Sequence, residues 1–231
     1  MLYWYGIDWT YIVLVLPAVI FAMIAQGMVT STFNKYAKVA TRSGMTGYQA
    51  ALMILEENGI HDVTIQRISG NLNDHYDPKA GVIRLSDATY ASTSAAAVGV
   101  AAHEAGHAVQ HAKQYTPIQI RSAIIPITNI GSKLTLPLIL IGALLSIPSL
   151  VYVGIAFFAL STVFQLVTLP VEFNASKRAI QALRASGRMD EGELTASKKV
   201  LTAAAMTYVA ALAVSLMQLL RLIVIFGRRN D

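Results

Sequence analysis

Apolar residues in this chain fall into long unbroken runs and short periodic segments, and the two kinds are segregated. Residues 11–29 form a first run about one bilayer thick. Residues 134–171 form a second, 38 residues long, without a single Asp, Glu, Lys or Arg. As helix it measures roughly 57 Å, close to two crossings of a ~30 Å hydrocarbon core. Ser146-Ile147-Pro148-Ser149 is the expected turn of that hairpin, so the first crossing has to begin upstream of Lys133, which then snorkels. Residues 200–220 are a third run, also long enough to span. Arg221, Arg228 and Arg229 at its end argue against export, so the expectation is a fourth span, or else a helix that packs on the one ending near Gln114 or lies in the interface.

Between the first and second runs the pattern becomes periodic. Residues 46–58 read as an amphipathic helix, with Ala50, Leu52, Met53, Ile54 and Leu55 apolar and Asn58-Gly59 as the stop. Val63, Ile65 and Ile68 suggest a strand, residues 70–79 a polar turn region, and residues 81–86 a second short strand. Ser92, Thr93 and Ser94 offer N-caps for a helix running to about Gln114. That helix is rich in Ala and Gly, which either permits close helix packing or leaves room for a ligand. The expected fold is a mainly α membrane protein: a small α+β core, with a β-hairpin or sheet, and three to four transmembrane helices. Its parts are an N-terminal anchor (residues 1–30), the α+β region (31–120), a membrane hairpin (121–171) and a helical region (172–231).

Composition agrees with this class. Hydrophobic residues make up 55% of the chain and charged residues 13%, against about 25% charged in soluble domains. The net charge of +5 sits at the ends of apolar runs, which suits a lipid bilayer and not nucleic acid. Tyr3, Trp4, Tyr5, Trp9 and Tyr11 crowd the start of the first run like an interfacial belt. Lys35, Lys38 and Arg42 follow that run and no cation precedes it, which puts the N-terminus outside and residue 35 in the cytoplasm. The missing basic n-region speaks against a cleaved signal peptide.

With no Cys in the chain, a metal would have to be held by His and carboxylate. Residues 103–107 read His-Glu-Ala-Gly-His. Four residues apart on a helix, His103 and His107 share a face and can converge on one ion, and Glu104 can reach a metal-bound water. This is the H-E-x-x-H arrangement of zinc peptidases. A third ligand is needed. Two crossings of the hairpin return the chain to the side it left, and the first residue after them able to bind metal is Glu172, followed by the cytoplasmic signature of Lys177, Arg178, Arg184 and Arg188. His111 continues the four-residue repeat, but it stands about 12 Å and about 80° from His103 on a straight helix, too far for one ion. His75 and Tyr208 are candidates for stabilising a developing oxyanion.

These stretches resemble the YugP-type neutral zinc metallopeptidases of bacterial membranes. The resemblance rests on His103-Glu-Ala-Gly-His107, the upstream Asp74-His-Tyr-Asp-Pro78 and the downstream Val171-Glu-Phe-Asn-Ala-Ser-Lys-Arg-Ala179, and it covers nearly the whole chain. The order of motif, hairpin and glutamate is also similar to that of HtpX-like membrane gluzincins. Those relatives carry Glu-x-x-x-Asp, with the Asp supporting a ligand His; here Ser176 stands at that position. The resemblance implies a bacterial membrane peptidase; with the orientation read from the cations, the expectation is a multi-pass protein of the inner membrane with its active site facing the cytoplasm. One zinc per chain would be held by His103, His107 and Glu172, and Glu104 would act as general base on a peptide or membrane-protein substrate. A regulatory membrane partner or a homo-oligomer is compatible with it. The rival from another class is a non-catalytic zinc-binding scaffold or chaperone-like protein. An ATP-driven protease would need a phosphate loop, and no G-x-x-x-x-G-K-[ST] occurs.

Overall fold

In chain order the elements are β1 (Tyr3–Trp4), β2 (Ile7–Asp8), a π-helical turn (Tyr11–Val15), α1 (Leu16–Tyr36), α2 (Gly47–Glu57), β3 (Thr64–Ile68), β4 (His75–Asp77), β5 (Val82–Ser86), α3 (Asp87–Tyr90), α4 (Ala95–Ala112), α5 (Thr116–Leu144), α6 (Pro148–Ala185) and α7 (Glu191–Gly227). The computed structural model describes residues 3–4 and 7–227. Tyr5, Arg228 and Arg229, and the side chains of Tyr3 and Trp4, lie outside what is described. The residues group into two units. A membrane unit takes residues up to 25, 120–169 and from 207 onward; a globular unit takes 26–119 and 170–206.

Four helical stretches, residues 11–36, α5, α6 and α7, are long and apolar enough to cross a membrane. In the membrane unit, α5 and α6 form the expected hairpin. Ser146 turns it with a left-handed φ of 57°. Close approach rests on small residues: a Cβ on Gly154 would lie 2.7 Å from Ile139, and one on Gly142 2.8 Å from Val151. Thr162 and Ser215 join α6 to α7 with a hydroxyl pair at 2.7 Å. Lys133 is exposed inside α5, which begins well upstream of it, as the hairpin requires. The fourth run is a helix too. One of the charges that argued against its crossing, Arg221, is neutralised: its guanidinium pairs with Asp8, whose carboxylate also accepts from the Thr10 and Tyr11 amides at the head of the first apolar helix. An ion pair removes most of the cost of placing either charge near hydrocarbon.

The globular unit is built around α4. Thr46 caps α2 in a capping box with Gln49, and Asn58 closes it, with Gly59 at φ 67°. Ser94 caps α4 by accepting from the Ala97 amide. The sheet has the order β3-β5-β4. β3 pairs with β5 in parallel and β4 with β5 antiparallel, so it is no hairpin of two strands. The third strand, β4, comes from the polar segment read as a turn; its three residues His75, Tyr76 and Asp77 are too few to show a period. Ile83 and Leu85 of β5, Ile54 and Leu55 of α2, and Ala101, Ala102 and Ala105 of α4 form one core with Leu183 and Leu194.

The small residues of α4 serve packing. A Cβ on Gly99 would lie 2.9 Å from Cβ of Ser197 on α7. One on Gly106 would lie 2.8 Å from the carbonyl oxygen of Ala175 on α6. Gly106 therefore lets the backbone of α6 rest directly on the His-Glu-Ala-Gly-His turn.

Candidate metal centre

Helical periodicity puts His103 and His107 of α4 on one face, with ring centroids 4.7 Å apart and planes at 83°. Where α6 crosses that face it delivers Glu172, one residue past the end of the uncharged run. Glu172 Oε2 lies 3.3 Å from His103 Nε2 and 3.5 Å from His107 Nε2. The Glu172 side chain is 3% exposed, and those of His103 and His107 are 14% and 10% exposed. One ligand atom from each of the three lies within 4.8 Å of the others. Tetrahedral zinc with bonds of about 2.0–2.1 Å separates its ligand atoms by about 3.3–3.4 Å. Two nitrogens and one carboxylate oxygen at these separations therefore fit a zinc ion, and three ligands leave a fourth position for water.

The back edges of both imidazoles are held. His107 Nδ1 lies 3.0 Å from Gln110 Oε1. The Gln110 amide nitrogen donates to the carbonyl of Val171 at 2.8 Å and to Asn174 Oδ1 at 3.0 Å. Those two acceptors settle which end of the amide faces His107. The oxygen does, so Nδ1 carries the proton and Nε2 presents its lone pair to the site. Arg178 donates to the same Asn174 oxygen at 2.7 Å and lies 5.9 Å from the Tyr115 ring centroid. His103 Nδ1 lies 3.1 Å from Ser176 Oγ. Both histidines thus rest on neutral partners, a serine and a glutamine. Burial alone would push the His107 pKa down, but the hydrogen bond and charge of Glu172, with smaller pulls from Glu104 and Gln110, hold it above the ordinary value. A metal bound at His107 would compete with that proton.

Glu104 follows His103 on α4 and is 8% exposed. His111 is not in the group; its ring meets Tyr76 of β4 edge-on, with centroids 5.7 Å apart. His75 is also outside the group. It is exposed on β4, with Nδ1 2.9 Å from the Asn73 carbonyl and Nε2 3.3 Å from Arg84, itself 3.0 Å from Asp77. Arg84 and the amides of Ala80 and Lys79 lower the Asp77 pKa. Burial, with the charges of Asp62 and Asp77, raises that of Tyr76. Tyr208 is half-buried on α7 within the membrane unit. Sequence reading missed Gln110 and Asn174. Gln110 sits three residues after His107, a spacing that puts the two on one face; Asn174 offers no such signal.

The model of the family described as "Putative neutral zinc metallopeptidase" matches residues 11–227. The chain belongs to that family. It is also similar to the "Putative membrane protease YugP" of Bacillus subtilis (strain 168), with 45% identity over 96% of this chain and 98% of that protein. No solved structure matches the chain. Family membership and the fit of the three ligand atoms agree on zinc as the metal this group of side chains suits.

The Gln110 network makes a prediction. Gln110→Ala is expected to weaken zinc affinity about 10- to 100-fold while the protein still folds. Competition with a chelator of known affinity measures it; unchanged affinity would show that the amide does not orient His107.

Proposed function

We propose that the protein is a membrane-embedded, gluzincin-like zinc metalloendopeptidase acting at the cytoplasmic surface of the bacterial inner membrane. One observation carries the reading: a carboxylate oxygen lies 3.3 and 3.5 Å from two histidine Nε2 atoms, all three within 4.8 Å of one another, beside the glutamate of a His-Glu-Ala-Gly-His turn. His103, His107 and Glu172 would hold the metal. Bound zinc would supply a water of lowered pKa and a Lewis acid for the scissile carbonyl. Glu104 accepts the proton of the attacking water and passes it to the departing amine nitrogen. Ser176 and Gln110 keep the two imidazoles aimed. β4 is the edge strand on the α4 side of the sheet, and its outer backbone suits an extended peptide added as a further strand. Peptide segments of membrane proteins or of unfolded chains are the substrates this position favours. Metal-dependent cleavage of an unfolded protein such as casein, abolished by Glu104→Gln, tests the reading.

The orientation has its own test. Lys35, Lys38 and Arg42 follow the first span, and Lys177, Arg178, Arg184 and Arg188 follow the third. The positive-inside rule puts both groups in the cytoplasm, with the turn near Ser149 and residue 227 outside. Since the chain has no Cys, single introduced thiols report on each side. Ser149→Cys and Gly227→Cys are expected to react with a membrane-impermeant thiol reagent added outside, and Lys38→Cys only after permeabilisation. The opposite labelling pattern would invert the assignment.

A further inference from the structure

In the globular unit, α6 and α7 leave between them a groove of about 300 Å³. Ile180 and Leu201 give it an apolar floor, exposed Phe173 an apolar rim, and Lys177, Arg184 and Lys198 stand around it. No Asp or Glu lines it. Arg184 is engaged by Glu191 at 3.0 Å. Lys177 and Lys198 are exposed and form no ion pair among the described residues. Two uncompensated ammonium groups over an apolar floor call for a ligand with an anionic head and an apolar body.

The course of the chain says where such a ligand would come from. On α6 the groove begins at Phe173, two residues after the uncharged run ends at Val171. On α7 it ends at Ala205, and no charged residue follows Lys199 until Arg221. Both walls therefore pass directly into membrane-spanning stretches, and the lysines stand at the first polar level beyond them, where lipid headgroups lie. We propose that this groove binds the headgroup of an anionic phospholipid between Lys177 and Lys198, with its acyl chain over Phe173 and Leu201.

A substrate side chain fits the geometry less well. Ser176 lines the groove and holds His103 through Nδ1, whereas the edge of His103 that faces Glu172 is Nε2. The groove thus opens behind the ligand histidine and not in front of the site. A bound lipid would bear on the metal centre through Ser176. That reach rests on the peptidase reading; the headgroup site itself does not.

The test is native mass spectrometry of the full chain in detergent, titrated with phosphatidylglycerol or with phosphatidylcholine of the same acyl chains. One phosphatidylglycerol is expected to bind at least tenfold more tightly than phosphatidylcholine. Lys177→Gln with Lys198→Gln should weaken it about tenfold, and Lys38→Gln with Lys79→Gln, which removes the same charge elsewhere, should not. Equal weakening in both double variants would show diffuse attraction to a basic surface and overturn the site. So would equal affinity for the two lipids, or displacement of phosphatidylglycerol by a Glu-rich peptide without any preference over phosphatidylcholine. Because the readout is lipid binding, failure of the peptidase reading leaves its outcome unchanged.

Discussion

Glu104→Gln is expected to lower kcat for peptide cleavage about 1,000-fold while zinc content stays near one per chain. A positioned general base contributes on the order of 10²–10⁴ in rate, and a 1,000-fold loss corresponds to about 4 kcal/mol of transition-state stabilisation. Gln matches Glu in volume, so the 8%-exposed pocket on α4 keeps its packing. It cannot accept the water's proton at neutral pH or deliver one to the amine. His103, His107 and Glu172 are untouched, so zinc content should not move. Retained zinc with unchanged turnover would exclude Glu104 as the base. Loss of zinc and turnover together would mean that Glu104 serves the metal site and not the proton.

The second large effect belongs to Glu172. In the Glu104→Gln background, in which any self-cleavage should be suppressed, Glu172→Ala is expected to cost the protein its zinc. With the proposed ligand set, the site would fall from three protein ligands to two, and the lost ligand would be the anionic one. Its side chain is 3% exposed and meets both Nε2 atoms, so no surface carboxylate can take its place without moving α6. Glu172→Gln separates charge from shape: it fills the same space, and zinc should still fall sharply because a neutral amide is a poor zinc ligand. Metal analysis of purified protein, with circular dichroism to show that the helices persist, decides the matter. A full equivalent of zinc in folded Glu172→Ala would remove Glu172 from the ligand set and leave His103 and His107 needing another partner.

Much of the membrane architecture was legible because hydrocarbon imposes a length. An uncharged run of 38 residues is too long for one crossing, and the turn between its two helices lies where Ser146 and Pro148 predict. The fourth apolar helix was legible only by half. Arg221 reads as an obstacle until Asp8, at the other end of the chain, is seen to pair with it. β4 was hidden for a different reason. With three residues and a polar surround, it owes its existence to β5, which supplies its hydrogen-bond partners.

The centre itself divides along the same line. Spacing on one helix is local geometry, so His103, Glu104 and His107 were determined by the chain alone: any α-helix carrying that motif puts both imidazoles on one face. The arrival of Glu172 was foreseeable as an order of events, since a hairpin must bring the chain back, yet its distance from the histidines was not. That depends on how closely α6 can lie on α4, and only the tertiary structure shows the absent side chain of Gly106 making room for the Ala175 carbonyl. Ser176 was singled out by resemblance, and its contact with His103 required the folded molecule. Gln110 binds groups 61 to 64 residues away in sequence. Partners that far apart leave no period in the sequence, because what joins them is the packing of two helices and not the repeat of either one.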